Sequence, residues 1–146
     1  MKINCLTLYQ PWAGLISIGL KTIETRTHEH FKFLNNRWIA IHAAKKVEQN
    51  NLDVIVNHYK DIDLSKMEIK GAIICIAFVY KVGWLDERHS KSALINCAQT
   101  KRFGLFLSNI QPIEPIFIPG KQGVWSYDFN DEQIKGLNLK KPNELL

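Results

Sequence analysis

The stretch Lys70–Val82, KGAIICIAFVYKV, limits what this chain can fold into more than any other segment. It is a β-branched and aromatic run opened by Gly71 and closed by Gly83, apolar at nearly every position, and it reads as a strand buried on both faces in the middle of a sheet. The apolar part is about half the roughly 20 residues that a membrane-spanning helix needs, and Lys81 interrupts it, so no span is expected. A central strand needs neighbours, and the rest of the chain offers them.

Ile3–Tyr9 alternates as a largely buried first strand that Pro11 stops. Proline is tolerated at a first helical position, and Trp12, Leu15, Ile16 and Gly19 follow at i, i+3, i+4 and i+7, which predicts a short amphipathic helix over 11–18 with Gly19 as its stop. Thr22–Thr27 alternates with Thr22, Glu24 and Arg26 on one face and Ile23 and Thr25 on the other. After a turn at Asn35–Asn36, Arg37–Ala43 reads as a strand in which His42 points away from the Ile39 and Ile41 side. Lys45–Tyr59 carries a helical stripe of Leu52, Ile55, Val56 and Tyr59. Ser90 is placed to cap a short helix holding Ala93, Leu94 and Cys97. Pro112 separates two expected strands, Phe103–Ile110 and Ile113–Ile118, and the loop Pro119–Gly123 introduces a last strand, Val124–Phe129. Asn130 is expected to cap a final short helix through Gln133 that Gly136 ends, and the tail Asn138–Leu146 is expected to be loosely held.

The order β-α-β-β-α-β followed by further strands predicts an α+β domain, its strands gathered into a compact sheet or small barrel with helices at the mouth. At 146 residues, with 46% apolar and 23% charged residues, the chain has the size and composition of one folded domain, residues 1–146, rather than of a disordered chain. Three cysteines, Cys5, Cys75 and Cys97, show neither CxxC nor Cys/His spacing, so reduced structural thiols are expected, with no disulfide framework, metal site or cofactor. The start Met1–Cys5 lacks a basic region followed by an apolar stretch, which makes the cytoplasm the expected compartment. A net charge of +5 favours a polyanionic partner.

The densest polar group is Lys21-Thr22-Ile23-Glu24-Thr25-Arg26. Arginine offers a forked donor set and glutamate accepts from amino groups, so this run suits a heterocycle and its phosphate, although a solvated strand with a surface Glu24–Arg26 pair has the same spacing. Trp12 suits either stacking on a base or burial on the helix stripe. His42 suits either contact with a base, including proton transfer, or a hydrogen-bonded place in its strand. Lys45 and Lys46, read as the start of the second helix, are candidates for phosphate contacts. Lys121 and Gln122 lie in a glycine-flanked loop able to close over a ligand, and Trp125 reads as core.

Taken in order, the segments Leu6-Thr7-Leu8-Tyr9-Gln10-Pro11-Trp12-Ala13, Gly19-Leu20-Lys21-Thr22-Ile23-Glu24-Thr25-Arg26, Ile39-Ala40-Ile41-His42-Ala43-Ala44-Lys45, Gly71-Ala72-Ile73-Ile74 and Pro119-Gly120-Lys121-Gln122-Gly123-Val124-Trp125 resemble the ASCH family, most of all the domain at the end of the activating signal cointegrator proteins. The resemblance covers most of the chain. It implies a PUA-like pseudo-barrel of strands with flanking helices, relatives that bind or modify RNA, and a cleft walled by Lys21, Glu24 and Arg26. With the motif residues Gln10, Trp12, His42, Lys45 and Lys121, these are the expected nucleic-acid-binding residues, and helix amides after Pro11 would add partial positive charge.

Binding of RNA, a single strand or a nucleotide is the leading expectation, with phosphate contacts supplying affinity. A branch of the family hydrolyses the acetyl amide of N4-acetylcytidine with a lysine, a threonine three residues later and a glutamate on a later strand. Lys21 matches the lysine, but Glu24 stands at the threonine position and the strand over Ala72–Val82 has no glutamate. As catalytic residues, Lys21, Glu24 and His42 would serve this hydrolase or a metal-independent ribonuclease, with Lys21 a base only if burial lowers its proton affinity against the pull of Glu24. A partner-binding domain with a vestigial cleft is the remaining class.

Overall fold

A computed structural model describes residues 1–142. The chain forms a mixed six-stranded sheet whose strands are β1 (Lys2–Gln10), β2 (Ile23–Arg26), β3 (Arg37–Val47), β4 (Ala72–Trp84), β5 (Phe103–Phe117) and β6 (Val124–Asp128), in the order β2-β5-β4-β3-β1-β6. Only β1 and β3 run parallel; every other neighbouring pair is antiparallel. Edge strands β2 and β6 do not pair with each other, so the sheet is a pseudo-barrel left open, an α+β architecture as expected. Helices α1 (Trp12–Ser17), α2 (Gln49–His58) and α3 (Ser90–Ala93) flank it. Among the described residues no helix is long and apolar enough to cross a membrane.

β4 is central, as its sequence predicts, with eight consecutive buried residues from Ala72 to Val79. Alternation divides the strands between two cores. Leu6, Leu8, Ile39, Ile41 and Ala43 pack on one face with Ile74, Ala77 and Leu105, while Ile3, Cys5, Trp38 and Ala40 pack on the other with Ile76, Phe78 and Trp125. The adjacent Cys5 and Leu6 thus belong to different cores, which is why that segment reads as doubly apolar. All three cysteines are free and buried.

Several expectations are corrected. Lys45 and Lys46 belong to the end of β3, not to a helix, because α2 starts at Gln49 after Glu48 donates its backbone N–H to the Gln10 carbonyl at 2.7 Å. Gly83 does not end β4: it lies opposite Gly104 inside the ladder, where a Cβ on Gly104 would come within 2.5 Å of Leu85. Pro112 does not split β5. β2 covers β5 only from Phe103 to Phe106, so beyond that point β5 is an edge strand, where a proline without an N–H is tolerated, and register shifts against β4 absorb the bend. Asn130 and Gln133 do exchange reciprocal side-chain to N–H hydrogen bonds, yet the segment they cap, 131–136, is a run of turns rather than a helix. Of the tail, Leu137 and Leu139 pack against the second core and Asn138 exchanges two hydrogen bonds with Gln111, so this part is tied down; residues 143–146 lie outside the described residues.

Candidate functional site

A cleft of about 1420 Å³ opens between the β2 wall, the ends of β1 and β3, and the loop joining β5 to β6. Of the residues expected to bind, Trp12, Lys21, Glu24, Arg26, His42, Lys45 and Lys121 all line it, and Gln10 does not. Gln10 is fully buried, and its amide is spent on the backbone: Nε2 donates to the Lys66 and Ile69 carbonyls at 2.9 and 2.8 Å, and Oε1 accepts from the Gly14 N–H at 2.9 Å. The same bond occupies an amide of α1, and a helix of six residues has little dipole to offer, so the cleft owes its positive charge to side chains.

β2 carries the charged wall. Ile23 turns into a small core with Leu85, Ala93, Cys97 and Phe106, which by alternation aims Glu24 and Arg26 at the cleft. Glu24 lies between two cations, with Oε1 3.9 Å from the Lys21 ammonium and Oε2 3.4 Å from the Arg26 guanidinium. Lys21 is almost fully buried at 2% exposure, donates to the Ala93 carbonyl, and sits 5.2 Å from the Trp12 ring centroid. Desolvation lowers its proton affinity below the ordinary value of 10.5, and this outweighs the opposing pull of Glu24. Trp12 is half-buried between two cores, and its indole N–H donates to Glu48 at 2.8 Å, so it is both wall and anchor.

Across the cleft, the side chain of His42 leaves the Ile41 side as its alternation predicts and meets Trp125 edge-on at 5.5 Å between ring centroids. Its Nε2 lies 2.7 Å from the Ile118 carbonyl, an acceptor only, so this nitrogen bears the proton. The other nitrogen, Nδ1, is buried and has no hydrogen-bond partner among the described residues. Burial lowers its proton affinity below 6.5. Gly120 passes directly over it: a Cβ there would lie 2.7 Å from Nδ1 and 2.6 Å from Thr7 Oγ1. Thr7 in turn accepts from the Trp125 indole at 3.0 Å, and Trp125 is core as expected.

The sequence pattern does not single out Arg102, Lys70, Glu48 or Phe31, all of which line the cleft. Arg102 comes just before β5, and its neighbour Phe103 pairs with Arg26, so sheet register alone brings the two arginines to one corner. No local signal marks it. Six cations line the cleft, Lys21, Arg26, Lys45, Lys70, Arg102 and Lys121, against two carboxylates, Glu24 and Glu48. Among the described residues no group of three or more His, Cys, Asp or Glu side chains could hold a metal ion.

An open α+β pseudo-barrel with a cationic cleft at the mouth of its sheet is the class that this fold and site define. Among solved structures, the crystal structure of ASCH from Zymomonas mobilis matches with a TM-score of 0.58 at 17% identity, covering 90% of this chain and 90% of that one. Two mutant proteins of the Zymomonas mobilis ASCH protein match with TM-scores of 0.55 and 0.56 at 17% and 16% identity, over 86% and 88% of this chain and 87% and 91% of theirs. No family model matches the chain. The protein folds as an ASCH domain.

Proposed function

We propose that residues 1–146 form one ASCH domain that binds RNA, or a single-stranded nucleic acid of like charge, in the cleft between the β2 wall and the β5–β6 loop. The observation that carries this reading is the excess of six lining cations over two carboxylates in a cavity larger than the roughly 300–1,000 Å³ of an ordinary small-molecule site. Cations on the rim, Lys45, Lys70 and Lys121, suit a phosphate backbone, while Glu24 and Arg26 suit the edge of an unstacked base. His42 holds the loop through Ile118 in this reading and is not the proton carrier of a nuclease, because one ring nitrogen is engaged and the other lies under Gly120.

A second reading, hydrolysis of a modified nucleoside such as N4-acetylcytidine, is favoured by one specific observation: desolvation wins at Lys21. Once neutral, Nζ would take a proton from water attacking an amide carbonyl, and Thr25 lines the same cleft. The missing glutamate on β4 counts against it.

Both readings are separated by titrating fluorescent single-stranded RNA, duplex RNA and single-stranded DNA into the wild type and Lys21→Ala/Arg26→Ala protein, with N4-acetylcytidine consumption followed in parallel. Tight RNA binding that the double mutant loses, without turnover, is the expected result. Turnover that disappears with Lys21 would replace the binding module by an amidohydrolase.

A further inference from the structure

The corner where β2 meets the start of β5 holds more cationic donor capacity than the protein uses. Three cations and one carboxylate share it: Lys21 and Arg26 lie beside Glu24, and Arg102 lines the same cleft with its charge bearing on Lys21. Neither pairing with Glu24 is close, at 3.9 and 3.4 Å, where a charge-assisted hydrogen bond measures about 2.7–2.9 Å. The buried Nε atoms of Arg26 and Arg102 both lack a hydrogen-bond partner among the described residues. A buried guanidinium N–H left unpaired is costly, and both arginines that carry one line the same cleft, which points to a ligand that supplies acceptors to their guanidinium groups.

We propose that Arg26, Arg102 and Lys21 form a subsite for a terminal phosphomonoester, the phosphorylated end of a nucleotide or strand. The inference rests on the reading of the cleft as a nucleotide site and says which group enters first. Arginine forks suit a tetrahedral oxyanion with several acceptor oxygens. Three cations and Glu24 leave an excess of two positive charges when Lys21 is protonated, which matches a dianion better than the single charge of a phosphodiester. Depth argues the same way. Lys21 is 2% exposed on the floor, whereas a mid-chain phosphodiester needs room for chain leaving on both sides; a terminal phosphate enters end-on. Glu24 holds the corner together when it is empty and tolerates the anion because its own charge is already outnumbered.

Calorimetric titration of cytidine, its 5′-monophosphate and its 3′-monophosphate into the wild type, Arg102→Gln and Arg102→Lys tests this, with RNA binding measured on the same preparations. The expected result is that one monophosphate binds at least about tenfold tighter than the nucleoside, that Arg102→Gln removes most of the gain, and that Arg102→Lys keeps part of it. Which monophosphate gains identifies the strand end. In the wild type, the ¹⁵N signals of the Arg26 and Arg102 Nε–H groups should also shift on addition of inorganic phosphate, a readout that does not depend on any variant folding. Equal affinity for nucleoside and both monophosphates, with RNA still bound, would overturn the phosphate corner and leave the RNA reading standing. Absence of binding to RNA and to all three small ligands would overturn both.

Discussion

Lys21 is where the opposing electrostatic effects meet. Burial disfavours its ammonium, Glu24 favours it, and Arg26 and Arg102 disfavour it again, with a folded-state proton affinity below 10.5 as the outcome. Between that lowered value and 10.5 the unfolded chain binds more protons at this residue than the folded protein does, so stability rises with pH across that window. Below the window the cost of burying the charge is present in full. Lys21→Met removes the effect, so urea unfolding from pH 7.5 upward should show the wild type gaining stability relative to the variant; parallel curves would show that Lys21 keeps its ordinary proton affinity. The spacing of Lys21, Glu24 and Arg26 was legible in the sequence. The sign of the Lys21 shift was not, because desolvation is set by Trp12, Ala93 and other residues packed around it.

Gln10 shows at the element level what a motif residue can be for. Its amide joins the end of β1, the first turn of α1 and the carbonyls of the segment 66–69, so a residue that the sequence offers as a ligand contact is a structural tie. Gln10→Ala strands two partly buried carbonyls and one buried N–H, and should lower the unfolding free energy by about 3 kcal/mol in chemical denaturation. Replacement by an isosteric carboxyl would not restore it, since Nε2 is the donor to both carbonyls. The β5–β6 loop behaves similarly. Gly120 is the only residue type that lets the loop lie on Thr7 and His42, because any Cβ would overlap both. Gly120→Ala should therefore cost about 1–3 kcal/mol and weaken RNA binding, as read by melting temperature and titration; wild-type values for both would mean that the loop lies off His42 in solution. Pro112 teaches the complementary lesson: a proline punctuates a strand only when both of its edges are paired, and edge status depends on how far β2 reaches.

For the whole molecule, the net charge of +5 becomes informative only once it is known where the cations stand. Six of them ring one cleft, and Lys45, Lys70 and Lys121 come from three segments far apart in the chain. If about four phosphates are neutralised there, log affinity for single-stranded RNA should fall with log salt with a slope near −3, a loss of roughly 50-fold between 50 and 200 mM. Binding that is flat over this range would remove the electrostatic basis of the proposed function. Lys45→Ala or Lys121→Ala should each make the slope shallower by somewhat less than one without disturbing the fold, both residues being exposed. By itself the sequence determined the strand-forming segments and the alternation of their faces, though not where β3 and β4 end or that β5 runs unbroken through Pro112, together with the central place of β4, the direction of His42 and the composition of the β2 wall, because these follow from local periodicity and side-chain chemistry. Only the tertiary structure decided that Gln10 is spent on the backbone, that Arg102 joins Arg26, that the sheet stays open and that Lys21 is held against its charge. Hydrogen-bond satisfaction, desolvation and strand register are properties of residues brought together from distant parts of the chain, and no local pattern encodes them.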